Sequence, residues 1–107
     1  MRTRLVTAVF AAWMVLPLAL WAAPRSSYVG TVTDTKCGLH HPPGMNAAMC
    51  TRGCVHGGAH YALAVGTHVY RLDGHAKQLY RLAGDRVVVT GTMEHGQIHV
   101  ASVRAAH

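Results

Sequence analysis

Acidic residues are scarce in this chain. Asp and Glu number four among 107 residues: Asp34, Asp73, Asp85 and Glu94. No paired-carboxylate set forms, so acid–base catalysis has little material. No Ser-His-Asp order reads as a nucleophilic triad, and no glycine-rich loop reads as a phosphate cradle. Lys and Arg form no dense block of the kind that marks nucleic-acid binding. Cys-x-x-Cys is missing, and with it the thioredoxin-like pattern. Cys-x-x-Cys-His is missing too, which excludes covalent haem attachment. No internal repeat or low-complexity segment appears. These absences point away from an enzyme and from a nucleic-acid partner, and leave a small binding domain.

The N-terminus carries the first positive signal. Arg2 and Arg4 precede a nearly unbroken apolar run from Leu5 to Ala23. A basic start, an apolar run and a small-residue ending make a secretory signal peptide, here expected over residues 1–22 with cleavage after Ala22. The run also approaches the roughly 20 residues that span a bilayer, so an uncleaved membrane anchor over residues 5–23 is the alternative. No cysteine follows closely enough for a lipoprotein. Residues 23–27 are expected as a linker and residues 28–107 as one domain. That domain is mildly basic, with eight Lys and Arg against four Asp and Glu, and it holds all nine histidines. A domain this small buries little apolar surface per residue, and a disulfide or metal would help it fold.

Tyr28–Thr33 has strand composition, with Gly30 marking a bend or bulge. Pro42, Pro43 and Gly44 form a loop. Asn46 caps a helix that Gly57 and Gly58 end. Gly53 lies inside it, so either its backbone meets a close neighbour or the helix depends on what its cysteines bind. His60–Val65, with Tyr61, Leu63 and Val65 on one face, and His68–Leu72 form a hairpin around Gly66-Thr67. His75–Ala83 reads as a short helix. Arg86–Met93 is the strongest strand. Gln97–Val103 is the last, with its broken alternation predicting a bulge near Ala101 and Ser102. The chain is thus mainly β. It is expected to be a five-stranded OB-like barrel, with a Cys-containing helical insertion between strands 1 and 2 and a short helix between strands 3 and 4.

All three cysteines, Cys37, Cys50 and Cys54, fall within Thr33–Gly58. Cys50 and Cys54 stand one turn apart on the same helix face. With a histidine they make a thiolate–imidazole set that suits Zn, while soft sulfur also suits Cu. His41 is the preferred fourth ligand. His40 and His56 are alternatives, and Asp34 is a candidate acceptor that orients a ligand histidine. Its plainer role is an Asx turn that ends the first strand. Met45 and Met49 lean towards copper, although a methionine beside a helix is more often packing.

Two other readings stay open. Exported cysteines usually oxidise, so Cys37 would pair with Cys50 or Cys54 as a staple, leaving one thiol over. A thiol redox protein would need a lowered thiol pKa, helped by Arg52 or the helix N-terminus. His60 and His68 facing each other across the hairpin would make a second, weaker metal site; exposed strand histidines are the plainer reading. The remaining histidines, His75, His95, His99 and His107, are scattered. Tyr28, Tyr61, Tyr70 and Tyr80 are expected in core or rim packing rather than as base-stacking platforms.

Asp34-x-x-Cys37-Gly38, Cys50-x-x-x-Cys54 and Gly58-Ala59-x-Tyr61-Ala62-Leu63 are followed by Val87-x-Val89-Thr90-Gly91 and Ile98-x-Val100. In these pieces the mature chain resembles a family of small exported bacterial proteins with an OB-like fold. The resemblance implies export, the barrel and a three-cysteine site. It implies no activity. The expected function is therefore an exported, non-enzymatic domain that binds a metal ion or a small ligand, touching membrane only through an uncleaved N-terminus. Mass spectrometry of the exported protein is expected to find an N-terminus near Ala23. An intact Met1 in the membrane fraction would establish the anchor instead.

Overall fold

The computed structural model describes residues 24–106. The expected signal or anchor segment therefore lies outside the described residues, as does His107. Among the described residues, no helix is long and apolar enough to cross a membrane. Seven elements follow in order: β1 (Ser26–Asp34), α1 (Ala47–His56), β2 (Tyr61–Val65), β3 (His68–Asp73), α2 (Ala76–Arg81), β4 (Arg86–Glu94) and β5 (Gln97–Ala105).

The strands close into a ring in the order β1-β2-β3-β5-β4. Every pairing is antiparallel except β3 with β5, where Leu72 lies beside Ile98 and Asp73 beside His99. The expected mainly β fold with five strands and two helices is present. β1 starts two residues early, since Ser26 and Ser27, expected in the linker, pair with Gly91 and Thr90 of β4. α2 is shorter than expected. His75 caps it in a left-handed conformation with φ 56°, and Leu82 already ends it.

Two glycines let the ring close. β1 pairs with β4 through its first half and with β2 through its second, and Thr31 pairs with both. At the changeover, a Cβ on Gly30 would run into the carbonyl oxygen of Ala64. Gly91 is equally constrained, because its Cβ would run into the carbonyl oxygen of His99. Thr90 lies opposite Ser102 while Gly91 lies opposite Val100, so Ala101 is the extra residue of a bulge, as its sequence context predicts.

Val32, Leu63, Val87, Val89 and Ile98 fill the ring, and Leu79 of α2 joins the same cluster. The expected alternation on β2 holds on the inner face with Tyr61 and Leu63, but Ala62 is fully buried as well. The outer face is therefore covered at that point. His60 and His68 do not face each other: His68 pairs with Val65, and its ring stacks on Tyr70 at 5.9 Å.

Two contacts seat α1. The turn after α2 is tied to β1, with the Gly84 amide donating to the Val32 carbonyl at 2.9 Å and the Val32 amide donating to the Asp85 carbonyl at 3.0 Å. Gly84, at φ +80°, leaves so little room that a Cβ there would stand 3.0 Å from the Ala48 amide nitrogen. Arg52 then crosses from α1 to the end of α2. Its Nε donates to the Tyr80 carbonyl at 2.8 Å, and its guanidinium lies over the Tyr80 ring at 4.8 Å.

Gly53 has a different status. A Cβ there would meet nothing within 4 Å, so no close neighbour explains it. Gly53→Ala is expected to raise stability by about 1 kcal/mol through helix propensity alone. Gly91→Ala is expected to lower it by about 1–3 kcal/mol through overpacking. Urea unfolding midpoints of the two variants check this contrast in sign.

Candidate metal centre

The site begins with the turn that ends β1. Asp34 is 0% exposed. Its Oδ1 accepts hydrogen bonds from the backbone amides of Lys36 at 2.9 Å and Cys37 at 2.8 Å. This is the Asx turn that the position of Asp34 predicts. The Gly38 amide donates to the Asp34 carbonyl at 2.9 Å, and the Thr33 hydroxyl donates to the Gly38 carbonyl at 2.7 Å. Gly38 takes φ +57°, which only glycine adopts at no steric cost. The Asp-x-x-Cys-Gly run is thus a closed turn that fixes the Cys37 backbone.

The other arm is α1. The Asn46 side chain accepts from the Ala48 amide at 2.9 Å and the Met49 amide at 3.4 Å, the N-cap its sequence position predicts. Cys50 and Cys54 follow on one face, one turn apart. Both reach Cys37: its Sγ lies 3.2 Å from Sγ of Cys50 and 3.6 Å from Sγ of Cys54. The three sulfurs all lie within 4.8 Å of one another. Four ligands around a metal at ~2.3 Å would stand ~3.8 Å apart at tetrahedral angles. The observed spacing is close to that, and well beyond the ~2.05 Å of a disulfide. No disulfide joins the three cysteines in this structure.

Among the described residues, no histidine joins this set. His41 is half-buried, and its buried Nδ1 has no hydrogen-bond partner. His40 and His56 are exposed. Met45 and Met49 are exposed too, so neither packs beside the helix. Asp34 orients the Cys37 backbone rather than a histidine. Arg52, considered as a thiolate partner, is committed to the end of α2.

Among the described residues, three buried side-chain polar atoms lack a partner: Asp34 Oδ2, His41 Nδ1 and Thr51 Oγ1. All three belong to the stretch that carries the cysteines. Buried polar groups are nearly always satisfied, and an orphan marks a missing water, ion or functional role. The three atoms fall between the end of β1 and the middle of α1, and sequence patterning gives no sign of it.

Electrostatics adds a constraint. The hydrogen bond with Cys50 is the main influence lifting the Cys37 thiol above its ordinary value; contact with Cys54 opposes it, while burial and the Asp34 charge add to it. Cys54 is raised first by its hydrogen bond with Cys37, then by burial and the Asp34 charge. Neither thiol has the lowered pKa of a reactive cysteine. The structure also joins residues the sequence left scattered: His99 on β5 meets Asp73 at 3.1 Å and Glu94 at 3.4 Å, all at exposed positions.

Comparison of the chain with family models, with curated proteins and with solved structures returned no match. The chemistry of the site therefore rests on its own residues. In the reduced, metal-free protein, Cys37 and Cys54 are expected to alkylate more slowly at pH 7 than cysteine in an unstructured peptide, whose pKa is about 8.5. Their rates should climb as the pH passes above that value, because only the thiolate reacts. Residue-resolved iodoacetamide labelling across pH checks the sign.

Proposed function

We propose that this chain is a small exported, non-enzymatic domain that holds a transition metal, Zn or Cu, through Cys37, Cys50 and Cys54. The observation that carries the reading is the convergence of three sulfurs from two separate elements, all within 4.8 Å of one another. A staple needs two cysteines; a metal uses three or four ligands. The unpartnered Oδ2 of Asp34, in the turn that fixes Cys37, supports the same reading. His41 is the candidate fourth ligand on the strength of its buried, unpartnered Nδ1. It stands outside the sulfur set, so the Pro42-Pro43-Gly44 loop would have to close to deliver it.

Export rests on the N-terminal pattern, Arg2 and Arg4 before the apolar run from Leu5 to Ala23. The strand order and the position of α2 between β3 and β4 support reading the ring as an OB-like barrel. Raised thiols argue against redox catalysis. They also mean that metal uptake expels protons, so affinity falls as the pH drops.

One observation favours a second reading. The 3.2 Å between the Cys37 and Cys50 sulfurs would shorten to a disulfide with small rotations about the side chains. Such a bond would pin α1 to the end of β1 and leave Cys54 as the surplus thiol. Thiol counting and elemental analysis on the protein purified from the periplasm separate the two. The metal reading expects three thiols after chelation and one equivalent of metal before it. One free thiol, no metal and a Cys37–Cys50 peptide link would sink it.

Two outcomes follow for the metal-loaded protein. Cys50→Ser or Cys54→Ser is expected to cost at least about tenfold in metal affinity, and His56→Ala to change it little, as read by chelator competition. Removing the metal is expected to increase amide exchange in α1 and in residues 35–46 while β4 and β5 stay protected, because only the insertion depends on the sulfurs.

A further inference from the structure

We infer that the groove between α1 and α2 binds a small carboxylate carrying an apolar, preferably aromatic, body. The groove has a volume of about 430 Å³ and is lined by Val55, Tyr61, Ala76, Lys77, Tyr80 and Arg81. That volume suits a small-molecule ligand, and the lining has the usual character of such sites, an apolar surface with a few polar groups.

The walls are held in place before any ligand arrives. Arg52 of α1 donates to the carbonyls of Tyr80 at 2.8 Å and Arg81 at 3.4 Å, which locks the end of α2 against α1. Its guanidinium stacks on the Tyr80 ring, fixing one wall. Tyr61 forms part of the core as well as the groove, so the groove shares its support with the ring. A preformed site binds without the cost of ordering its walls.

Charge selects the ligand. Lys77 and Arg81 both line the groove, and Arg52 stands behind it. None of the four acidic residues lines it. Asp34 is buried in the turn after β1, and Asp73 and Glu94 face His99. Lys77 and Arg81 make no ion pair among the described residues. Lys77 and Arg81 stand one turn apart on α2, so a ligand whose apolar body packs between Tyr80, Val55 and Ala76 would present its anionic head to them without displacing a carboxylate. The stems of Lys77 and Arg81 extend the apolar surface. Guanidinium and carboxylate also match in planar, paired hydrogen bonding.

The test uses 4-phenylbutyrate and its neutral analogue 4-phenyl-1-butanol, each titrated into the mature protein and followed by amide and Tyr ring chemical shifts. The carboxylate is expected to bind saturably, on the order of 1 mM for a ligand of this size. Its shifts should centre on residues 76–81 and Val55. It should bind about tenfold tighter than the alcohol. In the double variant Lys77→Gln/Arg81→Gln, at two exposed positions, that advantage should vanish while the alcohol binds as before. Lys77→Arg should keep it. Equal binding of the two ligands would make the groove a plain apolar docking face and overturn the proposal. So would an undiminished preference in the double variant with a native circular dichroism spectrum, or no saturable shift at these residues.

Discussion

Asp34 is fully buried at the point where β1 leaves the ring, and one of its carboxylate oxygens holds two backbone amides. Hydrogen bonds to a charged group are among the stronger ones a protein makes. Here they turn the chain sharply, place Cys37 at the edge of the ring and set the direction of the loop that leads to α1. The second oxygen has no partner. A buried carboxylate is costly unless it is satisfied, so this residue joins the rigidity of the turn to an unmet demand beside the sulfurs.

The cysteine site depends on two supports of different strength. The Cys37 arm belongs to the ring, through β1 and its Asx turn. The Cys50 and Cys54 arm belongs to α1, a ten-residue helix with a glycine inside it and few anchors. Those anchors are the Asn46 cap, the close seat on Gly84 and the Arg52 link to α2. A helix this short is marginal alone, and tertiary contacts or a bound metal must supply the rest. One arm of the site is therefore carried by the ring, and the other by a short helix that depends on its tertiary contacts.

α1 also serves two surfaces. Cys50 and Cys54 face the turn after β1, while Val55 and Arg52 face α2. The same short helix thus forms one wall of the sulfur cluster and one wall of the basic groove. Arg52 keeps the groove in shape by hydrogen bonds that do not involve the cysteines, so the two surfaces share a support without sharing a ligand.

Local chemistry was legible wherever it is decided within a few residues. The Asn46 cap, the Gly57-Gly58 stop, the hairpin at Gly66-Thr67 and the bulge at Ala101 follow from short-range propensity and alternation. So does the placing of Cys50 and Cys54 on one face, which needs only the helical period. Ser26 and Ser27 escaped because their strand is imposed by pairing with Gly91 and Thr90, not by their own composition. The parallel β3–β5 contact that closes the ring, the burial of Ala62 and the meeting of His99 with Asp73 and Glu94 join residues far apart in the chain. No local pattern encodes them. The same limit governed the site. Spacing nominated the three cysteines with His41 as fourth ligand and His40 and His56 behind it, but a side chain's reach depends on the path of its loop. Packing brought the three sulfurs together, left His41 outside with an unpartnered nitrogen, and sent Arg52 to the end of α2, because those distances are set by the closed ring and not by the order of residues.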